Sequence, residues 1–292
     1  MVDGTILATP TSPPPAEQAP LSFGDKVRFV LRGIGQTLIT LGLVVLLFVV
    51  YEVWITNIFA AREQAKVYNA LKNEWAQGKD PLLPLPGDKT ATIPIGTGIG
   101  VLYIPRLGRD YHFAIVQGNT VPDDSDLEKG PAHYRDTQLP GQKGNFAIAG
   151  HRVGKGEPFL NIDKLKSGDS IIVETKSWWY VYRVLGTPPG ENPETVRASF
   201  NESGTQVSLP GREIVDPSDG NVLLPVPDHP DIPLAAATSR LMTFTTCHPK
   251  FTASHRMIVY SKLVKKVANN PLLIHNGQMP ASVQALYAEV KA

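Results

Sequence analysis

Between residues 99 and 264 the apolar side chains come in short bursts: 101–104, 112–116, 145–149, 170–173, 178–184, 241–245 and 257–260, bounded by turn residues such as Gly, Pro and Asp. Such runs are too brief for a helical stripe to develop, and their Val, Ile, Tyr, Phe and Trp content favours extended chain. Many brief strands with turn punctuation predict a sandwich or a barrel. The 25 glycines and 26 prolines agree, being far more useful to turns than to a helical bundle. Residues 123–129 read as a capped short helix, and the polar, Pro-rich stretch 194–232 as a long surface loop. Val283, Leu286, Tyr287 and Val290 follow helical spacing after Pro280, predicting a short amphipathic C-terminal helix.

A different pattern precedes this region. From residue 34 to 61 the only strongly polar side chains are Gln36, Glu52, Asn57 and scattered Thr, and 41–50 holds none. A run of this length can cross a bilayer, which takes about 20 residues. A cleaved leader would want a small residue where Phe59 stands before Ala60 and Ala61. The expectation is therefore a retained, single-pass membrane anchor. Lys26, Arg28 and Arg32 lie nearer the apolar edge than Arg62, Lys66 and Lys72 do on the other side. That favours an inside N-terminus with the bulk of the chain outside. Residues 1–24 have Pro-rich, aperiodic composition and are expected to be disordered. Residues 60–77 read as a helical stalk, and 78–98, with Pro81, Pro84, Pro86 and Pro94, as a linker.

The formal net charge is +1, so no basic surplus points to nucleic acid. One cysteine excludes an internal disulfide and a thiolate-rich metal site, and no His or Cys spacing suggests metal or any other cofactor. That lone residue, Cys247, ends the run 241–246 and is followed by His248 and Pro249, which close the strand. A lone thiol is more commonly an inert core residue, so its surroundings must decide.

Thiol chemistry at neutral pH needs a nearby cation or base. Arg256 opens the next strand, and two strands joined by a short loop commonly pair, which would bring its guanidinium beside the thiol. His151 ends another apolar strand after Gly150, where it can face a cleft as a proton carrier. His248, next to Cys247 on extended chain, should turn to the opposite side.

Thr243, Phe244, Thr245, Thr246 and Cys247 resemble the TLxTC signature of sortases, with Phe244 in place of the usual Leu. The run Ala149, Gly150, His151, Arg152 upstream and Arg256 downstream resemble the other two parts of that family's active site, in the same order. The Cys-His-Pro that ends with Pro249, and the Gly130, Pro131, Ala132, His133, Tyr134 loop, look like the class E sortases of actinobacteria. The resemblance implies an all-β fold, an eight-stranded barrel with short helices, on the outer face of a Gram-positive membrane. It implies a cysteine transpeptidase that cleaves an LAxTG- or LPxTG-like sorting signal of secreted proteins between Thr and Gly. Cys247, His151 and Arg256 would be catalytic, and Tyr134 and Thr246 would bind substrate. A peptidoglycan-precursor amine would resolve the thioester.

The expected organisation is a cytoplasmic tail (1–33), a transmembrane helix (34–58), stalk and linker (59–98), the catalytic domain (99–264) and a C-terminal extension (265–292). A membrane-tethered barrel that only binds partners, with an inert Cys247, is the competing reading.

Overall fold

The computed structural model describes residues 22–51, 56–83, 92–270 and 278–290. Most of the expected N-terminal tail and part of the Pro-rich linker lie outside them. The chain divides into two compact units, with the boundary at Val49 and Val50.

The first unit contains one helix, α1 (Phe23–Val50), whose side chains are exposed throughout. At 28 residues it is about 42 Å long, and an 18-residue window has mean hydropathy 2.3, long and apolar enough to cross a membrane. It starts earlier than the apolar edge because Lys26, Arg28 and Arg32 are good helix formers and Ser22 caps it: the Ser22 Oγ accepts from the Asp25 N–H. Thr37 and Thr40 donate their hydroxyls to carbonyls one turn back, which satisfies them within an apolar run.

The second unit is a closed barrel. Its strands are β1 (Gly98–Tyr103), β2 (His112–Gln117), β3 (Ala132–His133), β4 (Gly144–Ala149), β5 (Ser170–Glu174), β6 (Trp178–Val184), β10 (Arg240–His248) and β11 (His255–Ala268). They run in the order β10-β4-β3-β2-β1-β5-β6-β11, and pairing of β10 with β11 closes the ring at eight strands. The β10–β4 and β2–β3 pairs are parallel and the others antiparallel. Alternation decides what faces in: Met242, Phe244, Met257 and Val259 join Phe146 and Ile148 in the interior core. Phe244 fills that core against Phe159, ring centroids 5.0 Å apart, so the larger side chain is accommodated.

Two expectations are corrected. The segment expected as a stalk forms α2 (Thr56–Ala76) and lies against the barrel. Leu71 and Trp75 are buried with Val101, Tyr103 and Trp179, while Lys72 bonds the buried Glu174 at 2.7 Å. Gln64 accepts from the Ala114 N–H (2.7 Å) and donates to the Ala114 carbonyl (3.0 Å), tying the helix to β2. The supposed loop 194–232 contains a hairpin, β7 (Arg197–Glu202) with β8 (Thr205–Pro210), and then β9 (Arg212–Val215) on the edge of β11. Val207, Leu209, Val222, Val226 and Ile232 are buried beneath them against Ile258 and Tyr260, a second apolar layer outside the barrel.

The capped helix α3 (Asp124–Leu127) carries a reciprocal cap between Asp123 and Asp126. Near the C-terminus α4 (Ala281–Gln284) and the turn after it bury Val283 and Leu286 on the α2 side of the barrel.

Candidate active site

Strand register brings the three expected residues together. Cys247 stands opposite Arg256 in the β10–β11 pair. Thr245 stands beside Ala149 in the parallel β10–β4 pair. Beyond that pair the Gly150 N–H still donates to the Thr245 carbonyl (3.1 Å), which holds the backbone just before His151 alongside β10. The interior-facing set on β10 is Met242 and Phe244, so Cys247 is on the outer face, and so is Arg256, which alternates with interior Met257. All three line one cleft of about 440 Å³ with Tyr134, Thr245 and Thr246. Its far wall comes from Val215 at the end of β9 and from Pro217, Asp219 and Leu223 just after it.

Cys247 is half-buried and free. Arg256 donates from one terminal nitrogen to the Ala253 and His255 carbonyls (3.1 and 3.2 Å), which leaves its other N–H groups without a partner among the described residues. A permanent cation with donors to spare, cross-strand from a thiol, can stabilise negative charge that develops on a substrate carbonyl.

His151 is largely buried, and its Nε2 lies 3.7 Å from Asp124 Oδ1, too far for a hydrogen bond. Burial lowers its pKa; Asp124 opposes that, Lys155 adds to it and Glu128 opposes it. The resting imidazole is therefore biased toward its neutral form, ready to take a proton. Gly150 is needed before it: a Cβ there would fall 2.6 Å from the Phe159 ring.

Tyr134 and Thr245 hydroxyls meet at 2.7 Å at the cleft wall. Burial raises the Tyr134 pKa, the Thr245 bond and Arg256 lower it, and Cys247 raises it, so all these groups share one electrostatic neighbourhood. Thr246 borders the cleft, but its hydroxyl donates to the Gly150 carbonyl at 2.7 Å. It ties β10 to the backbone just before His151.

Three other histidines have partners of their own. His248 turns away from the thiol, its Nδ1 2.9 Å from Arg152 Nη1. Since guanidinium only donates, that nitrogen is the acceptor. His133 is buried between Gln117 and the Gln138 carbonyl, and burial lowers its pKa to about 4. His112 packs on the Tyr68 and Tyr103 rings. Among the described residues no three His, Cys, Asp or Glu side chains gather as metal ligands would.

Sequence reasoning missed Arg152 and Asp124. Arg152 is buried, donates to the Cys247 carbonyl (3.4 Å) and pairs with Asp163 (3.2 Å). Its place next to His151 was the available signal. Asp124 sits in the first turn of α3, where it read as a helix-start residue only.

A sortase domain model matches residues 102–264. Sortase SrtE1 of Streptomyces coelicolor is 34% identical over 241 residues, 80% of this chain and 57% of that protein, so the chain spans little more than half of it. SrtE2 of the same organism is 31% identical over 240 residues, covering 80% of this chain and 81% of that one. The solved SrtF sortase of Corynebacterium diphtheriae superposes with TM-score 0.53 at 34% identity, covering 69% of this chain and 98% of its own. A closed eight-stranded barrel, a matched domain that includes Cys247, His151 and Arg256, and relatives aligned over most of the chain lead to one assignment: the chain belongs to the sortase family.

Proposed function

We propose that this chain is a membrane-anchored cysteine transpeptidase that transfers secreted proteins bearing a C-terminal sorting signal to a cell-wall amine. The observation that carries this reading is the cross-strand pairing of Cys247 with Arg256 at a cleft that both line with His151. In the reaction the Cys247 thiol gives its proton to His151 and the thiolate sulfur attacks the Thr carbonyl carbon of an LAxTG- or LPxTG-like signal. Arg256 donates to the resulting oxyanion. Collapse breaks the Thr–Gly bond, the His151 imidazolium protonates the departing amine, and a thioester remains on Cys247. An acceptor amine then attacks that thioester, His151 takes its proton, and the thiol is restored by the same proton.

The class E-like preference for Ala over Pro in the signal is assigned to Tyr134, whose bond to Thr245 fixes its ring on the cleft wall. Thr246 completes the substrate side by holding the β10 and β4 ends together. In the proposed layout a cytoplasmic tail precedes a single pass within α1, and the barrel works outside the cell.

The test is mass spectrometry of a signal peptide incubated with the full chain and an amine. Expected are a thioester adduct on Cys247, trapped at early times, and an amide-linked product. Cys247→Ala should give neither. Hydrolysis alone at saturating amine, or product from the Ala variant, would sink the proposal.

A further inference from the structure

A second cavity, of about 510 Å³, lies at the opposite end of β10 from Cys247. Arg240 and His248 are the two ends of that nine-residue strand, roughly 25 Å apart in extended chain. The transfer reaction makes no use of this end. Lys262, Lys265 and Lys266 reach the cavity from β11, Arg240 from β10, and Asn201 from the β7–β8 hairpin. Four cations line it and no carboxylate does.

None of the four makes an ion pair among the described residues. Lys262 Nζ rests 4.2 Å from the centre of the Phe200 ring, and Lys266 Nζ 3.5 Å from that of Trp178. Aromatic faces hold an ammonium without using its hydrogen-bond donors. Arg240 uses Nε on the Gly141 carbonyl and keeps both terminal nitrogens. The neighbouring carboxylate, Glu202, is buried and already accepts from Thr238 and Ser239, so it offers no exposed counter-charge. Burial lowers the Lys262 pKa, against the pull of Glu202.

Solvated surface lysines normally point apart, whereas these are gathered on a concavity and two are held by rings. Uncompensated cations held together repel, and a multiply charged anion between them relieves that repulsion. An arginine fork beside ammonium point charges suits tetrahedral phosphate oxygens. We propose that this cavity binds a phosphate-bearing anionic ligand. The β7–β8 hairpin completes the site, because Phe200 carries Lys262 and Asn201 forms the rim.

The experiment titrates inorganic pyrophosphate onto the full chain in phosphatidylcholine nanodiscs, by calorimetry. Saturable binding that weakens steeply with salt is expected. The Arg240→Gln/Lys262→Gln variant should bind at least tenfold more weakly while Cys247 alkylates at the wild-type rate. Lys265→Glu, which leaves the Phe200 contact intact, should weaken binding as well. Repeating the titration with phosphatidylglycerol in the nanodisc separates two sources of the same chemistry. A raised apparent Kd supports a lipid headgroup as natural occupant, and an unchanged one supports a soluble phosphate compound. Non-saturable uptake, or equal affinity in the wild type and both variants, overturns the proposal.

Discussion

Arg152 and His248 are joined by a 2.9 Å hydrogen bond in which the buried guanidinium donates to imidazole Nδ1, and the same nitrogen reaches the Cys247 carbonyl at 3.4 Å. Arg152 follows His151 and His248 follows Cys247, so one side chain couples the backbones that carry the proposed base and nucleophile. Asp163, 3.2 Å from the other terminal nitrogen, holds the guanidinium in place.

Arg152→Met should therefore lower kcat for transfer by about tenfold or more with little change in KM, since small misplacements of reacting groups are costly. Arg152→Lys should recover part of the rate. A rise in KM at constant kcat would instead mean that Arg152 contacts substrate.

Arg256→Ala should reduce kcat/KM by roughly 10²- to 10³-fold, the usual loss for one oxyanion donor. Arg256→Lys keeps the charge but not the fork and should fall between the two. Because Arg256 sits at a strand end beside the cleft, melting temperatures of all three proteins should agree within a few degrees.

Asp124→Asn tests the electrostatics of His151. Burial pushes this imidazole below its ordinary value and Asp124 pulls it back up. Without that carboxylate the pKa should fall further, so the acid limb of the pH–rate profile should move to lower pH. A limb that moves up, or stays, would show that Asp124 does not act on His151.

His133 gives a prediction for stability. Its folded pKa is about 4, against an unfolded value near 6.5. The unfolded chain binds the proton more readily across that window, so the neutral, buried His133 contributes stability that is full above about 6.5 and is lost as pH falls towards 4. The loss is on the order of 3 kcal/mol. In His133→Gln the slope of melting temperature against pH across this window should flatten, whatever its stability at neutral pH.

Lys72→Met leaves Glu174, 2% exposed, without its cation, and removing one partner of a buried pair costs about 3–5 kcal/mol. The Lys72→Met/Glu174→Gln double variant should regain part of that loss in chemical unfolding. Equal stability of wild type and Lys72→Met would mean that α2 does not act as part of the folded unit.

Cys247, His151 and Arg256 were legible in sequence because each stands at or just past the boundary of a short apolar strand. Motif order then supplied the barrel. Alternation could not reveal that Leu71 and Trp75 dock, since a helix with three widely spaced buried positions, Ala60, Leu71 and Trp75, names no partner. The β7–β8 hairpin escaped for a related reason. Val207 and Leu209 bury one face of it against the outside of an already complete barrel, and intervening Pro and polar residues dilute the signal. Arg152 was hidden because its role comes from a contact 95 residues away in sequence.

The strand β11 pairs with β10 along its first half and with β6 along its second. During synthesis His151 is made first, Cys247 almost a hundred residues later, and Arg256 only on this last strand of the barrel. Until β11 is in place the ring stays open and the cysteine has neither its cross-strand arginine nor a cleft wall. A nascent or partly unfolded chain therefore carries the thiol without the partners that the proposed transfer requires, and the onset of that transfer would report that the final seam has closed.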